Sequence, residues 1–384
     1  MIDISIIILC GPRIKYLRGP QKFLLDFYKW SSLKNKRYYF IVENKVFDTL
    51  ESDNDIDIGS YIINNRDNVF SSITYIKYIV INVIKLLCIN KCSKVELIHC
   101  QDATYSGIIA AIVKFFTGVP YVSMIHGINS NAEVRNKHKF QIKYLLYNKM
   151  RKFVIENSNH VLYVGRETNK IIPHHLSSSQ FFFGVDLSRQ SSKSSSESNI
   201  QVSHNKIIFG LLTSLTKEKR VMDVLKSYSV IADDRSHILI AGEGSEIKAL
   251  KHFVDELRLA NHITFLGYCS NPQAFFKEID VYISFSESEG MPMSVIEALS
   301  EGKAVIVSKI SPHEEIITHH HNGLLVNSME ELADCMVEVI NNKKLRDDLG
   351  STALLDAKRF DIDIAFNNLE NIYKTTIDYK EVSQ

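Results

Sequence analysis

Ser284-Phe285-Ser286-Glu287-Ser288-Glu289-Gly290-Met291-Pro292-Met293-Ser294-Val295-Ile296-Glu297-Ala298-Leu299-Ser300-Glu301-Gly302 is the stretch on which the fold turns. An apolar run, Asp280 to Phe285, leads into it, and a second one, Ala304 to Val307, leaves it. Small polar residues, a carboxylate and a glycine separate the first run from a helical pattern. The reading is strand, tight loop, helix, strand. Gly290 permits close backbone approach to a ligand. Pro292 fits the first turn of a helix, where its missing N–H is no loss. Gly302 fits the position just past the helix end. The N-terminus of this helix then offers N–H groups and the positive end of its dipole to whatever lies over the loop, an arrangement that favours phosphate. Glu289 on the loop and Glu297 on the helix can face one space without touching.

Outward from this stretch the same rhythm repeats. Ile4 to Leu9, Tyr38 to Val42, Val95 to His99, Pro120 to Ile125, His160 to Val164 and Gln180 to Phe183 read as strands of a first half. Residues 51–70 read as acidic and irregular, and Ile73 to Ile89 as a buried helix. Lys206 to Leu212, His237 to Ala241, Ile263 to Leu266 and Gly323 to Val326 read as strands of a second half. Strands alternating with helices imply right-handed βαβ units and parallel sheets, with ligands at the carboxyl ends of the strands. Gly11, Gly19, His99 and His126 fall at such ends.

The chain has 384 residues, more than one core usually serves. The Ser-rich stretch 188–205 divides it. We expect an α/β protein of two doubly wound, Rossmann-like domains facing a cleft. The first domain is 1–187, the linker 188–205 and the second domain 206–365. A last helix, 366–384, packs back on the first domain.

The net charge of +1 conceals an asymmetry: 25 Lys+Arg against 15 Asp+Glu over residues 1–190, and 20 against 29 afterwards. A basic first half leaves nucleic acid, an anionic membrane surface or a phosphorylated acceptor as partners. Arg135 to Phe153 interleaves seven basic residues with apolar and aromatic ones, as an interfacial or a merely solvated helix would. Ile73 to Ile89 is too short and polar for a membrane span. The six cysteines contain no CxxC pair, lie mostly in apolar runs, and read as buried thiols of a reducing compartment. No Walker pattern, GxGxxG or HExxH occurs. His319, His320 and His321, adjacent on a loop, cannot all face one metal ion and read as solvated.

Lys217-Glu218-Lys219-Arg220 after a strand is either a solvated helix start or a clamp for a diphosphate. Glu289 and Glu297 suit the vicinal hydroxyls of two sugars, one on each side of a diphosphate. Their rival reading is a general acid/base pair around one glycosidic bond.

The combination resembles the retaining glycosyltransferases of family 4, with the GT-B fold. Its strongest element is E-x7-E, here Glu289-Gly290-Met291-Pro292 through Glu297-Ala298, followed by Gly302-Lys303-Ala304-Val305. Gly242-Glu243-Gly244, Phe265-Leu266-Gly267, Asp280-Val281, Glu314-Glu315-Ile316-Ile317 and Asn322 to Val326 support it. The first half matches more loosely, at Ile98-His99, Pro120, His126-Gly127 and Gly184-Val185-Asp186. The resemblance implies a hexosyltransferase that needs no metal and no resident cofactor and uses a UDP- or GDP-linked sugar. Glu297 would hold the ribose and Glu289 the donor sugar. N–H groups of Gly290, Met291 and Met293 around Pro292 would contact sugar and phosphate. Lys219 would neutralise the leaving diphosphate, and His126 would lie beside the donor sugar. Ser214, Arg220, Gly242 and Gly244 complete the donor side; Gly19 and His126 face the acceptor.

The chain departs from the family where Ser214 replaces an arginine, where Arg220 replaces a glycine, and at Arg18-Gly19-Pro20, which replaces a Gly-Gly pair. Either Arg220 or Lys217 could supply the charge missing at Ser214. The acceptor expected is a lipid-linked species or a glycan, in surface polysaccharide or glycolipid synthesis, and not nucleic acid. The location expected is cytoplasmic, peripheral on the inner face of the membrane. A nucleotide-sugar epimerase or hydrolase, or a non-catalytic sugar-nucleotide binder, remain the alternatives.

Overall fold

The computed structural model describes residues 6–9, 19–34, 38–43, 62–65, 72–127, 141–187 and 206–382. The chain divides into two units, 1–182 with 365–384, and 183–364.

In the first unit the described elements run β1 (Ile6–Leu9), α1 (Gly19–Leu33), β2 (Tyr39–Glu43), β3 (Ile62–Asn65), α2 (Ser72–Cys92), β4 (Leu97–Cys100), α3 (Tyr105–Thr117), β5 (Tyr121–Ile125), α4 (Gln141–Asn157), β6 (His160–Tyr163), α5 (Arg166–Asn169) and β7 (Ser178–Gln180). The strands form one parallel sheet in the order β3-β2-β1-β4-β5-β6-β7. The chain leaves β1 towards β2 and β3, then returns to lay β4 on the other side of β1. Because crossovers are right-handed, α2, α3 and α4, whose crossovers all run the same way across the sheet, share one face; α1, running the other way, takes the opposite face. Consistent with this, α2 packs on α3 and α3 on α4. β1 and β4 are wholly buried, as apolar runs in a sheet covered on both faces must be. Gly118, at φ +68°, ends α3 by returning its N–H to the Lys114 carbonyl.

The second unit runs β8 (Ile207–Leu212), a 3₁₀ turn (Lys217–Lys219), α6 (Val221–Ser229), β9 (Ser236–Ala241), α7 (Ile247–Glu256), β10 (Ile263–Gly267), α8 (Pro272–Lys277), β11 (Val281–Ser284), α9 (Met293–Ser300), β12 (Ala304–Ser308), α10 (Ser311–Glu314), β13 (Leu324–Val326), α11 (Met329–Asn341) and α12 (Lys343–Asp356). Its parallel sheet has the order β10-β9-β8-β11-β12-β13. Here the order reverses between β8 and β11, so the loops that follow these two strands flank the switch point. Leu211, Ile240, Ile283 and Ile306 from neighbouring strands, with Val224, Leu250 and Met336 from the helices, build the core of this unit.

A last helix, α13 (Ile362–Val382), leaves the second unit and joins the first. Phe366 meets Phe23, Phe27 and Trp30 of α1 at 5.6, 4.9 and 5.3 Å between ring centroids. Tyr373 bonds to His99 of β4, and Glu370 accepts from Tyr38.

Four expectations change. The strand expected at Gln180 to Phe183 lies at Ser178–Gln180 instead. As an edge strand bonded, among the described residues, only to β6, it needs no apolar run, and Phe181 and Phe183 are buried in the loop beyond it. A strand, Ile62–Asn65, pairs with β2 inside the stretch read as irregular. α2 is not buried all round: Ile76, Val80 and Ile84 are exposed. On the same helix, Cys88 and Cys92 are exposed thiols and not core ones, because the helix turns that face to solvent.

Candidate active site

Four loops of the second unit are stitched together at the carboxyl edge of its sheet. The loop after β8 and the loop after β11, on either side of the switch point, are joined twice. The Glu287 N–H donates to the Glu218 carbonyl at 2.8 Å, and the Lys219 Nζ lies 2.6 Å from the Glu289 Oε1. Both side chains are largely buried, at 22% and 11% exposure. Glu289 Oε1 accepts a further hydrogen bond from the Ser286 hydroxyl at 2.7 Å. The loop after β12 closes in behind, where the Ser308 hydroxyl donates to the Ser286 carbonyl at 2.6 Å. Lys219 and Glu289, 70 residues apart in sequence, are thus the centre of the arrangement.

The glycines of Gly242-Glu243-Gly244 belong to the loop after β9, and their reason is steric. A Cβ on Gly242 would lie 1.8 Å from the Thr213 carbonyl oxygen, and one on Gly244 would lie 2.2 Å from that of Leu215. Gly242 also sits at φ +145°, open to glycine alone. The two glycines therefore let this loop close on either side of Ser214. The contact is fixed by the Leu215 N–H donating to the Glu243 carbonyl at 2.9 Å and the Glu246 N–H to the Leu215 carbonyl at 2.9 Å.

Arg220, the last residue of the turn after β8, holds φ +49° and ψ +35°. That is the left-handed region, which explains why a glycine is the commoner solution at this position. Its guanidinium lies 4.3 Å from the Phe285 ring centroid, and its Nε donates to Asp223 at 2.7 Å. Lys217 stays exposed at the start of the turn.

α9 begins at Met293, with Pro292 as its N-terminal flank and Gly302, at φ +66°, past its end. Tyr282 on β11 bolts the helix to the sheet, its hydroxyl 2.7 Å from the Ser294 Oγ and 3.1 Å from the Leu212 carbonyl oxygen. Met291 is held from the other side, its sulfur accepting from the Phe183 N–H at 3.1 Å. Gly290 stands in the loop between Glu289 and Met291. Of the N–H groups expected to face a ligand, that of Met293 is turned back to the Met291 carbonyl at 2.9 Å. Glu297 lies in the second turn of α9, partly exposed.

His313 went unnoticed in the sequence. It is fully buried within the short helix α10, and its Nδ1 donates to the Ser308 carbonyl at 2.7 Å. That bond places the ring proton on Nδ1 and leaves Nε2 an acceptor; Nε2 has no hydrogen-bond partner among the described residues. Burial holds the His313 pKa below its ordinary value; Glu289 opposes this and Lys219 adds to it, so the ring senses both members of the central pair. Ser286 and Ser308 were likewise missed. Their only signal was the run of small polar residues at the strand end.

The first unit has a cluster of its own. His126 follows β5 directly, and its Nε2 donates to the Gln101 carbonyl at 2.7 Å. Burial lowers its pKa, so the ring is neutral at pH 7. Gln101 Nε2 is 3.3 Å from His99 Nε2, and His99 Nδ1 bonds to Tyr373. Burial, with a smaller push from His126, holds His99 down to about 3. Gly19 opens α1. Gly11 and Arg18 lie outside the described residues, as does the part of Arg135 to Phe153 before Gln141.

His319 accepts from the Leu325 N–H at 2.9 Å and His321 lies 3.5 Å from Asp356; no group of three metal-binding side chains converges among the described residues. No described helix is long and apolar enough to cross a membrane.

Two parallel-sheet Rossmann-like units make up the GT-B fold. Residues 193–355 match the family model of glycosyl transferases group 1. An uncharacterized glycosyltransferase of Methanocaldococcus jannaschii is 24% identical over 288 residues, 74% of this chain and 76% of that one. The UDP-Gal:alpha-D-GlcNAc-diphosphoundecaprenol alpha-1,3-galactosyltransferase of Escherichia coli is 24% identical over 289 residues, 69% of this chain and 71% of that one. Among solved structures, Anabaena HepE in complex with UDP superposes with a TM-score of 0.77 at 16% identity, covering 97% of this chain and 100% of that one.

Proposed function

We propose that this glycosyltransferase moves a hexose from a UDP- or GDP-linked donor to a lipid-linked or glycan acceptor, retaining the anomeric configuration and using no metal. The observation that carries this reading is the 2.6 Å Lys219–Glu289 pair beside the N-terminus of α9. A diphosphate leaving group gains charge as its bond to the sugar breaks. A lysine and a helix N-terminus fixed at that point stabilise the developing charge without reorganising. In the donor complex the diphosphate takes Lys219, and Glu289 turns its oxygens to the sugar hydroxyls.

The remaining roles follow the family resemblance. Glu297 holds the ribose. Gly290, Met291, Pro292 and Met293 shape the sugar–phosphate contact, and Ser214, Gly242 and Gly244 shape the nucleotide side. Arg220 adds charge in place of the arginine absent at Ser214. His126 acts at the donor sugar and, with Gly19, on the acceptor side. The name of the E. coli relative, which transfers galactose from UDP-Gal to a GlcNAc-diphosphoundecaprenol acceptor, supports a lipid-linked acceptor here.

A thermal-shift panel of nucleotide-sugars tests the reading, since a true donor stabilises the fold by mass action. One UDP- or GDP-sugar should raise the midpoint, EDTA should leave the transfer rate unchanged, and Lys219→Ala should weaken that donor far more than the matching neutral nucleoside. Equal weakening of both would remove Lys219 from the diphosphate.

A further inference from the structure

We propose that the outward face of α2, α3 and α4 seats this protein on an anionic lipid surface. A surface helix ordinarily turns its polar side to water. α2 does not. Ile76, Val80 and Ile84, each four residues from the next, form a stripe along its outer side at 64%, 50% and 55% exposure. Its inner side is apolar as well, with Tyr78 and Leu86 buried in the core. The stripe therefore exceeds what folding requires.

The neighbouring helices continue the pattern. α3 ends in Phe115 and Phe116, exposed at 84% and 67%. α4 carries Leu145, Leu146 and Phe153 on the same side as Lys149, Lys152 and Glu156, all exposed, with Lys152 paired to Glu156 at 3.6 Å. These three helices pack side by side on one face of the sheet. Large apolar side chains gathered on one face mark an interaction surface.

Charge selects the occupant. Lys77 and Lys91 are exposed beside the α2 stripe, and the described outer residues of α2 carry no acid. Apolar side chains among lysines complement a bilayer with anionic headgroups: the former enter the acyl boundary and the latter meet the phosphates. The second unit shows the contrast, since α11 exposes Glu330, Glu331, Asp334 and Glu338. The surface extends the interfacial helix expected at Arg135 to Phe153 to three helices, with most of its apolar area on α2 and α3. It does not rest on the donor chemistry.

Flotation of the full chain with phosphatidylcholine vesicles, with and without phosphatidylglycerol, tests the proposal. The protein should float with the mixed vesicles, about tenfold more weakly with phosphatidylcholine alone, and lose binding at high salt. Ile76→Ser with Val80→Ser and Ile84→Ser, or Phe115→Ser with Phe116→Ser, should abolish flotation while the thermal midpoint and the donor-induced shift stay unchanged. Lys149→Glu with Lys152→Glu should weaken it. Three results would overturn the idea: no flotation of the unaltered chain with mixed vesicles, full flotation of both apolar variants, or a stable dimer in light scattering that the α2 variant converts to monomer. Flotation without any donor-induced shift would instead count against the transferase assignment alone.

Discussion

Lys219 and Glu289 hold each other at 2.6 Å in a site where each is mostly removed from water. Removing either leaves the other partly buried without its main partner, which costs about 1–3 kcal/mol. Lys219→Ala and Glu289→Ala should each destabilise the fold by that order, and the double variant by less than their sum, read as a coupling in denaturant melts. Arg220 makes a different prediction. Its left-handed backbone costs about 1–2 kcal/mol for a non-glycine residue. Its stacking on Phe285 returns about 0.5–1 kcal/mol, with the Asp223 contact in addition. Arg220→Gly should therefore shift stability by less than about 1 kcal/mol while raising the KM for the donor. A large loss of stability with unchanged KM would make Arg220 a structural residue only. The E-x7-E spacing and Lys219 were legible as separate residues. Their pairing was not, because 70 residues separate them and only the β8–β11 register brings them together. His313 left no sequence signal, since a histidine in a short turn carries no period.

At the scale of elements, the loop glycines carry more of the site than their weak motif suggests. Gly242→Ala would drive a Cβ to 1.8 Å from the Thr213 oxygen at a backbone angle few side chains accept. It should cost about 1–3 kcal/mol and lower donor affinity, because the loop containing Ser214 must move. A nucleotide-induced thermal shift equal to that of the unaltered chain would show that the loop lies outside the donor site. The helices and buried strands were readable from their periods, as β1, β4, β8 and β11 attest, because a strand covered on both faces must be apolar throughout. Edge strands escape this rule, so Ser178–Gln180 and Ile62–Asn65 were missed or displaced. α2 was misjudged for the complementary reason: an apolar run reads as buried even when one side of it faces water.

For the whole molecule, the buried histidines set a pH limit. Burial holds His99 to about 3 and His160 to about 4, and lowers His126 and His313 as well. Each resists protonation when folded but accepts a proton near its ordinary value of 6.5 when unfolded. Below that value the unfolded chain binds more protons, so stability is full above about pH 6.5 and falls as the pH drops, by up to about 1.4 kcal/mol per pH unit for each such histidine. Denaturant midpoints should be flat from pH 8 to 7, drop between pH 6 and 4, and drop less steeply in His99→Gln. An unchanged slope in that variant would place the proton uptake elsewhere.

The amino-acid sequence by itself determined the alternation of strands and helices, the two-fold repeat of that rhythm, and the loop–helix that carries Glu289 and Glu297. These follow from local periods and from residues such as Pro292 and Gly302, whose constraints act within a few positions. Only the tertiary structure decided which carboxylate Lys219 meets, why Gly242 and Gly244 must lack side chains, and which apolar residues of α2 stay in water. Those outcomes depend on strand order and on the face each crossover takes, and no short window of sequence contains either.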